Sequence, residues 1–168
     1  MRTLPAAATL IVLTACTGPA APAPLESPIR NAEGADVGRV SLAARGDEIQ
    51  IHLQVSGLAP GQHGVHLHAA ADCQGPAFQS AMGHLNPDRR KHGRLNPEGA
   101  HLGDLGNLSV GASGRVERTI SIRPTGGGGV RELLGQAGVA LVIHAERDDE
   151  ATDPSGNSGA RVACAALK

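Results

Sequence analysis

The chain has 168 residues and a formal net charge of −1, and its length suits one domain with a hydrophobic core. No stripe of lysine and arginine dominates any part of it, which argues against a nucleic-acid partner and against a binder of membrane surfaces. Phe78 is the only residue among Phe, Trp and Tyr, so the core has to be built from valine, leucine, isoleucine and alanine. The 23 glycines and 11 prolines predict many turns, and hence short strands rather than long helices.

The N-terminal residues 1–15 are typical of a secretory signal peptide, because a basic start precedes an apolar stretch over residues 4–13 that is too short to span a bilayer. The stretch ends in Leu-Thr-Ala-Cys16, which resembles the lipobox of bacterial lipoproteins, where the cysteine is acylated. Residues 16–28 then form an alanine- and proline-rich tether, and residues 29–168 form the folded domain. We therefore expect an exported protein of the cell envelope or periplasm, anchored to a membrane only through its lipid. The alternative is an ordinary signal peptide with an incidental cysteine.

The cysteines support export. With Cys16 assigned to the lipid, Cys73 and Cys164 remain, an even number that suits an oxidising compartment. A disulfide between them would close a loop of about ninety residues, which the chain-entropy treatment equates with roughly 4–5 kcal/mol of stabilisation. The alternative is two unrelated buried thiols.

The clearest strand of the chain covers residues 48–55, in which polar and apolar side chains alternate strictly. Its inward face carries four apolar residues: Ile49, Ile51, Leu53 and Val55. The alternation puts His52 on the opposite, polar face, so we expect His52 at the surface and not as a metal ligand.

Further strands are predicted over residues 39–43, 116–122 and 139–144. Residues 131–136 suit a helical turn, whereas the stretches 69–107 and 148–160 are rich in turn residues and are predicted to be loops. Several short strands with long loops indicate an all-β fold, namely an antiparallel β-sandwich or flattened barrel.

Most of the histidines form a pattern that indicates metal binding, because imidazole is the commonest ligand for copper and zinc and a carboxylate also suits zinc. The set consists of His66, His68, His84, His92, His101 and His144, with Asp104. The His-x-His pair puts two rings on one face of a strand. A glycine-rich stretch that we expect to be a loop carries His84, His92, His101 and Asp104, and His144 ends an apolar run. Such a set can supply two metal sites with one shared residue.

The order of these motifs closely resembles the copper–zinc superoxide dismutase family, from about residue 30 to the C-terminus. The resemblance is carried by Gly-Val-His66-Leu-His68, Met-Gly-His84-Leu-Asn-Pro, Lys-His92-Gly, His101-Leu-Gly-Asp104-Leu-Gly-Asn, Val-Ile-His144 and Gly-Asn-Ser-Gly-Ala-Arg161-Val-Ala-Cys164. It implies a Greek-key β-sandwich or flattened barrel with long metal-binding loops, in a bacterial lipoprotein form of the family.

The resemblance also implies one copper and one zinc ion per subunit. Copper would be held by His66, His68, His84 and His144, and zinc by His84, His92, His101 and Asp104, with His84 bridging the two ions. The chemistry of the donors favours this division independently, since four nitrogens suit copper and three histidines with a carboxylate make a closed tetrahedral zinc site.

Three supporting residues are implied by the same resemblance. Asp148 would link a copper histidine to a zinc histidine. The alternatives are that the neighbouring Asp149 has this role, or that the acidic residues belong to a solvated turn without a role at the metals. Arg161 would flank the copper channel and position a small anion, the alternative being a surface arginine. His63 would hydrogen-bond the backbone behind the site without binding metal.

The implied activity is the dismutation of superoxide to dioxygen and hydrogen peroxide, with Arg161 and His84 as catalytic residues and a homodimer as a possible assembly. The alternatives are a non-enzymatic copper- and zinc-binding or delivery protein on the same fold, and a purely structural lipoprotein domain. The presence of all seven ligands together with Arg161 favours the enzyme.

Two features depart from the family pattern. Met82 stands where glycine is usual, and if the position needs a positive φ we expect strain that the loop tolerates without losing copper. The charged loop that flanks the channel in the family corresponds to residues 145–160, which contain no lysine. Candidate replacements for steering the substrate are Arg89, Arg90, Lys91 and Arg94, although such a run is also typical of a solvated turn.

Overall fold

A computed structural model describes residues 22–125 and 128–168 and shows an all-β, antiparallel fold. Its strands are β1 (Leu25–Asn31), β2 (Asp36–Arg45), β3 (Glu48–Val55), β4 (Gly61–His68), β5 (Asp104–Val110), β6 (Val116–Ile122), β7 (Val139–His144) and β8 (Arg161–Leu167). A helical turn, α1 (Val130–Leu134), precedes β7, and a 3-10 turn covers Gln79–Ala81. Within the described ranges, no helix is both long and apolar enough to cross a membrane.

The strands form one sheet in the order β5-β4-β7-β8-β1-β2-β3-β6, which curls until β5 and β6 face each other. Arg118 on β6 reaches across this seam and donates a hydrogen bond to the carbonyl oxygen of Asn107 on β5. The strands β4 to β7 then lie in the spatial order β7-β4-β5-β6, which is the Greek-key arrangement. The predicted flattened Greek-key barrel is confirmed.

Three strand predictions match the observed bounds of β3, β6 and β7, because alternation or a continuous apolar run marked each of them clearly. The inward-facing residues of β3 are between 0% and 4% exposed, as the alternation predicts. The partner strand predicted over residues 39–43 is longer, since β2 pairs with the whole of β3 from Gly38 to Arg45. The helical turn predicted over 131–136 is observed over Val130–Leu134, so it begins one residue earlier and ends two residues earlier than predicted.

Two boundaries predicted from the sequence were wrong. The tether was expected to run to residue 28, but β1 begins at Leu25, and residues 16–21 lie outside the described part of the chain. Pro28 is compatible with this strand because β1 pairs with β8 only at Arg30 and Asn31, so the imide nitrogen is not required for that ladder. The loop predicted over 69–107 ends at Asp104, where β5 starts. The glycine that had suggested a loop, Gly106, lies within β5, where the pairing with β4 shifts register between Gly64 and His66.

The strands β4 and β7 are buried on both faces, and this is what positions the histidines. Inward residues of both strands pack in the barrel core: Val65, Leu67, Val139, Leu141 and Ile143. The alternate residues, His66, His68 and His144, point outward, but the loops 69–103 and 145–160 cover them. Imidazole rings thus occupy a closed layer between the barrel and its loops.

The predicted disulfide joins Cys73, in the first of these loops, to Cys164 on β8, with 5.8 Å between the two Cα atoms. Around it lies a second, smaller apolar cluster, in which Phe78 and Ala81 from the loop pack on Val142 of β7. The only Phe, Trp or Tyr side chain of the protein therefore attaches the loop to the outer face of the barrel, while aliphatic side chains fill the interior.

Candidate metal centre

Four histidines converge on one point of the buried layer. They come from β4, from the end of β7 and from the covering loop, and one ligand atom of each lies within 4.8 Å of the others: His66, His68, His84 and His144. The whole residues His66 and His68 are fully buried and His144 is 4% exposed, while the side chain of His84 is 4% exposed. This is the group to which copper is assigned by resemblance.

In each of these rings one nitrogen lies within hydrogen-bond distance of an oxygen of the protein, and the other nitrogen has no hydrogen-bond partner. His66 Nε2 lies 2.7 Å from Asp148 Oδ2, His68 Nδ1 lies 2.9 Å from the Met82 carbonyl oxygen, and His144 Nδ1 lies 3.2 Å from the Gly159 carbonyl oxygen. In the described residues the buried, unpartnered ring nitrogens are His66 Nδ1, His68 Nε2, His84 Nε2, His92 Nδ1 and His144 Nε2. A buried nitrogen without a partner is costly, and a shared cation explains four of them at once.

A second group converges on Asp104. Its Oδ1 lies 3.0 Å from both His84 Nδ1 and His92 Nδ1 and 3.2 Å from His101 Nδ1, and the His84 and His101 Nδ1 atoms are 3.4 Å apart. A tetrahedral zinc site with bonds of about 2.0–2.1 Å has ligand atoms about 3.3 Å apart, close to these distances. His92 Nδ1 is near the carboxylate without hydrogen-bond geometry, as expected for two donors aimed at a common ion.

The ring of His84 stands between the two groups. Its Nδ1 faces Asp104, so its unpartnered Nε2 is the atom left for the copper group. The donor atoms around Asp104 that all lie within 4.8 Å of one another belong to His66, His84, His92 and Asp104, and His101 is not among them. We assign His101 instead, because Asp148 already engages His66 Nε2 and the remaining His66 nitrogen belongs to the copper group.

Asp148 joins the two groups from behind. Its Oδ2 lies 2.7 Å from His66 Nε2, and its Oδ1 lies 3.0 Å from His92 Nε2 and accepts the Glu150 backbone N–H at 2.6 Å. The carboxylate is 1% exposed, and the side chain of Asn107 brackets its backbone with two hydrogen bonds of 2.7 and 2.9 Å. The neighbouring Asp149 instead accepts hydrogen bonds from its own turn, at the backbone and side chain of Thr152.

Replacing Asp148 by asparagine is expected to weaken zinc binding by about 10- to 100-fold, the usual effect of removing a partner behind a metal ligand. The two rings contact different oxygens of the carboxylate, and an amide replaces one of these oxygens by an NH2 group that cannot accept the N–H of the second ring. Competition with a zinc chelator measures the affinity, and Asp149→Asn is the matched control. Equal zinc affinity in the two variants would contradict the linking role.

Burial keeps three imidazoles of the copper group, those of His68, His84 and His144, neutral and so ready to bind metal. It lowers the pKa of His68 to about 2, of His144 to about 3 and, against an opposing hydrogen bond to Asp104, of His84 to about 4. Burial acts in the same direction on His92, but the carboxylates of Asp104 and Asp148 outweigh it and raise its pKa to about 9. At neutral pH His92 is therefore an imidazolium with a proton on each ring nitrogen, and a bound cation replaces one of these protons.

Both carboxylates are ionised in this setting. Burial alone would raise the pKa of Asp104 and of Asp148, yet hydrogen bonds from the imidazoles and from backbone N–H groups hold both well below the usual range. The second group therefore combines an anionic oxygen with three imidazole nitrogens, a donor set that suits zinc.

A cleft of about 560 Å³ gives access to the copper group, and its wall includes His68, His84, His144 and Arg161. The Arg161 guanidinium is held at two points, because Nη1 donates to the Phe78 carbonyl oxygen and Nη2 to the Met82 carbonyl oxygen, both at 2.7 Å. These bonds keep a positive charge beside the histidines.

Met82 has the backbone conformation that the sequence made doubtful, with φ 69° and ψ −154°, a region that is essentially restricted to glycine. The residue is 61% exposed. The carbonyl oxygen nevertheless accepts hydrogen bonds from both His68 and Arg161, so the strained residue orients a candidate ligand and the channel arginine.

Met82→Gly is expected to raise the free energy of unfolding by about 1 kcal/mol, since about 1–3 kcal/mol of strain is relieved and part is lost to the greater freedom of glycine when unfolded. Copper content should not change. Urea denaturation tests this against Ala81→Gly, where φ is not positive and destabilisation is expected. Destabilisation by Met82→Gly would show that the backbone there is not strained.

The two histidines excluded by the sequence lie outside both groups. His52 is on the outer face of β3, where its Nδ1 lies 3.1 Å from Thr119 Oγ1. His63 is 4% exposed, and its ring nitrogens each lie 2.8 Å from a backbone carbonyl oxygen, those of His144 and Ala59. Its contact is thus with the backbone behind a candidate ligand, as the resemblance implied.

Sequence reasoning gave no role to Asn107 or to the carbonyl groups of Phe78 and Met82. Asn107 was visible as the last residue of the Gly-Asp-Leu-Gly-Asn motif, and a polar side chain there was the available signal. The two carbonyl groups carry no side-chain signal, because any residue type supplies the same oxygen.

The barrel and its paired donor groups define a class of protein, the β-barrel metalloproteins with adjacent copper and zinc sites. A sequence model of the family described as copper/zinc superoxide dismutase (SODC) matches residues 37–167. The chain belongs to the copper/zinc superoxide dismutase family.

Individual relatives agree with this membership. The chain is 42% identical over 141 residues to the superoxide dismutase-like protein YojM of Bacillus subtilis, covering 82% of this chain and 72% of the relative. It is 39% identical over 142 residues to superoxide dismutase [Cu-Zn] 2 of Aquifex aeolicus, covering 82% of each. The crystal structure of a SOD-like protein from Bacillus subtilis superposes with a TM-score of 0.80 at 37% identity, covering 85% of this chain and 97% of that one.

Proposed function

We propose that this chain catalyses the dismutation of superoxide, in which two superoxide anions and two protons give dioxygen and hydrogen peroxide. The observation that carries the proposal is the buried set of unpartnered ring nitrogens around His84, beside a cleft that holds Arg161. Membership of the copper/zinc superoxide dismutase family agrees with it.

The donor sets fit the two metals. Copper would be held by His66, His68, His84 and His144, and zinc by His84, His92, His101 and Asp104. Bound copper supplies a one-electron couple that oxidises one superoxide and reduces the next, while zinc is redox-inert and stabilises charge on the shared imidazole.

The residues of the chain bind the anion and deliver protons. Arg161 is tethered at both Nη atoms, so its guanidinium is preorganised to attract and orient a small anion in the cleft. His84 Nε2 faces the copper group while Nδ1 remains with the zinc group, so Nε2 can take up a proton and return it to the product without the ring moving away. Asp148 fixes the orientation of two further rings.

A copper- and zinc-binding or delivery protein on the same fold is the second reading of the sequence. The structure disfavours it, because the copper donors are buried under two loops and a disulfide and face solvent through a cleft, whereas a site built for transfer needs more exposed donors. Arg161 lines the same cleft, where a fixed positive charge favours an anion over a copper ion.

The test is the rate of superoxide decay with the protein loaded with copper and zinc, compared with protein loaded with zinc alone. Dismutation by the first and not by the second is the expected result. Full loading with both metals and no catalysis would overturn the proposal and favour the delivery protein.

We further propose that the chain is exported and anchored through a lipid on Cys16, nine residues before Leu25, where β1 begins. The disulfide supports an oxidising compartment. Cys16→Ser should move the protein from the membrane fraction to the soluble fraction of the envelope. An unchanged distribution would leave the ordinary signal peptide as the explanation.

The homodimer stays a prediction, which sedimentation equilibrium tests.

A further inference from the structure

The basic run Arg89, Arg90, Lys91 and Arg94 divides into paired and unpaired charges. Arg94 makes a two-pronged ion pair with Glu150, at 2.9 Å from Nε and 2.8 Å from Nη2, and Lys91 Nζ lies 3.6 Å from Asp153 Oδ2. Both pairs connect the loop of His92 to the loop of Asp148. Their charges are compensated locally and contribute little to a long-range field.

Arg90 differs from both. It lines the same cleft as Arg161 and His84, and within the described residues its guanidinium has neither an ion-pair nor a hydrogen-bond partner. Its backbone is fixed by Asn86, whose Oδ1 accepts the Arg90 N–H at 2.9 Å and whose Nδ2 donates to the Arg90 carbonyl oxygen at 2.8 Å. The base of the side chain is held at the cleft while the charged group stays uncompensated.

The cleft wall is therefore positive in a protein with a formal net charge of −1. Its charged residues are Arg90, Arg161 and Asp153, and the carboxylate of Asp153 is already engaged by the backbone N–H of His92 at 2.7 Å and by Lys91. A cleft whose wall carries an excess of one sign of charge raises the local concentration of an opposite ion and the rate of its capture.

We propose that Arg90 is the outer cation of the cleft, which captures the superoxide anion and passes it inward to Arg161. The proposal rests on the proposed function for the identity of the anion, and it assigns to one residue the steering that the sequence spread over four. Arg90 acts on the encounter, so it governs kcat/KM at low ionic strength and leaves the metal groups unaltered.

The test compares Arg90→Gln and Arg90→Glu with the control Arg89→Gln, which removes the same charge one residue away from the cleft wall. At low ionic strength we expect kcat/KM to fall about 2- to 5-fold for Arg90→Gln and further for Arg90→Glu, and the dependence of the rate on salt to flatten. The control should behave as the wild type, and copper and zinc contents should be equal in all four proteins.

A second readout does not depend on catalysis. Azide is a small monoanion like superoxide, and its binding to the copper-loaded protein is followed by visible absorption. Arg90→Gln should weaken azide binding at low salt more than Arg89→Gln does, with the difference vanishing at high salt. Identical azide binding and identical salt dependence of the rate would overturn the proposal, as would a loss that persists at high salt. If the wild type proves inactive, the azide comparison still decides the role of Arg90 separately from the proposed function.

Discussion

Replacing His144 by alanine is expected to lower the rate of superoxide dismutation by at least about 100-fold. Partners behind a metal ligand are worth about 10- to 100-fold, and a direct ligand is worth more. His144 Nε2 is one of the buried unpartnered nitrogens of the copper group, and its loss leaves three donors. Stopped-flow measurement of superoxide decay and elemental analysis of copper and zinc check the two parts of this result.

The matched control is His52→Ala, because His52 lies on the outer face of β3 with its side chain 40% exposed. We expect this variant to keep wild-type activity and metal content. Zinc should be retained in His144→Ala, since none of the close distances around Asp104 involves His144. Wild-type activity in His144→Ala would remove this residue from the copper group.

Replacing both Cys73 and Cys164 by serine is expected to lower the free energy of unfolding by about 4–5 kcal/mol, because the disulfide closes a long loop in the unfolded chain. The sequence separation of 91 residues sets this magnitude. A loss of that size is a large part of the stability of a single domain. Urea denaturation of the variant and of the wild type, both metal-free, measures it without a contribution from metal binding.

Cys16→Ser is the matched control, since it makes the same substitution at the cysteine that the sequence assigns to the lipid anchor and not to the disulfide. It should leave the unfolding free energy unchanged. The double variant should also lose activity when metal-loaded, because Cys164 packs with Phe78, whose carbonyl oxygen holds Arg161. A stability loss below about 1 kcal/mol would mean that the loop is held by its other contacts and that the entropic argument does not apply here.

Features that depend on side-chain pattern were predictable from the sequence. The strict alternation over β3 fixed its inward face and excluded His52, and the apolar run of β7 was long enough to identify a core strand. The spacing of His66 and His68 placed two rings on one face of β4, where the structure has them. The division of donors between two metals came from the resemblance to the family, and the chemistry of the donors agreed with it.

Features that depend on the backbone or on distant packing were not predictable. Gly106 made β5 resemble a loop, because a glycine at positive φ inside a strand has no pattern of its own. β1 carries a proline and follows a tether-like composition, so its pairing with β2 could not be read from residues 25–31 alone. The charges of the segment 89–94 were visible, but which of them were neutralised depended on Glu150 and Asp153, some sixty residues away.

The central claim is that two metal groups share His84. Anomalous diffraction from crystals of the copper- and zinc-loaded protein, recorded on both sides of each absorption edge, tests it most directly. We expect one ion on each side of the His84 ring, with copper among His66, His68 and His144 and zinc among His92, His101 and Asp104. A single ion, or zinc bound by His66 in place of His101, would contradict the account.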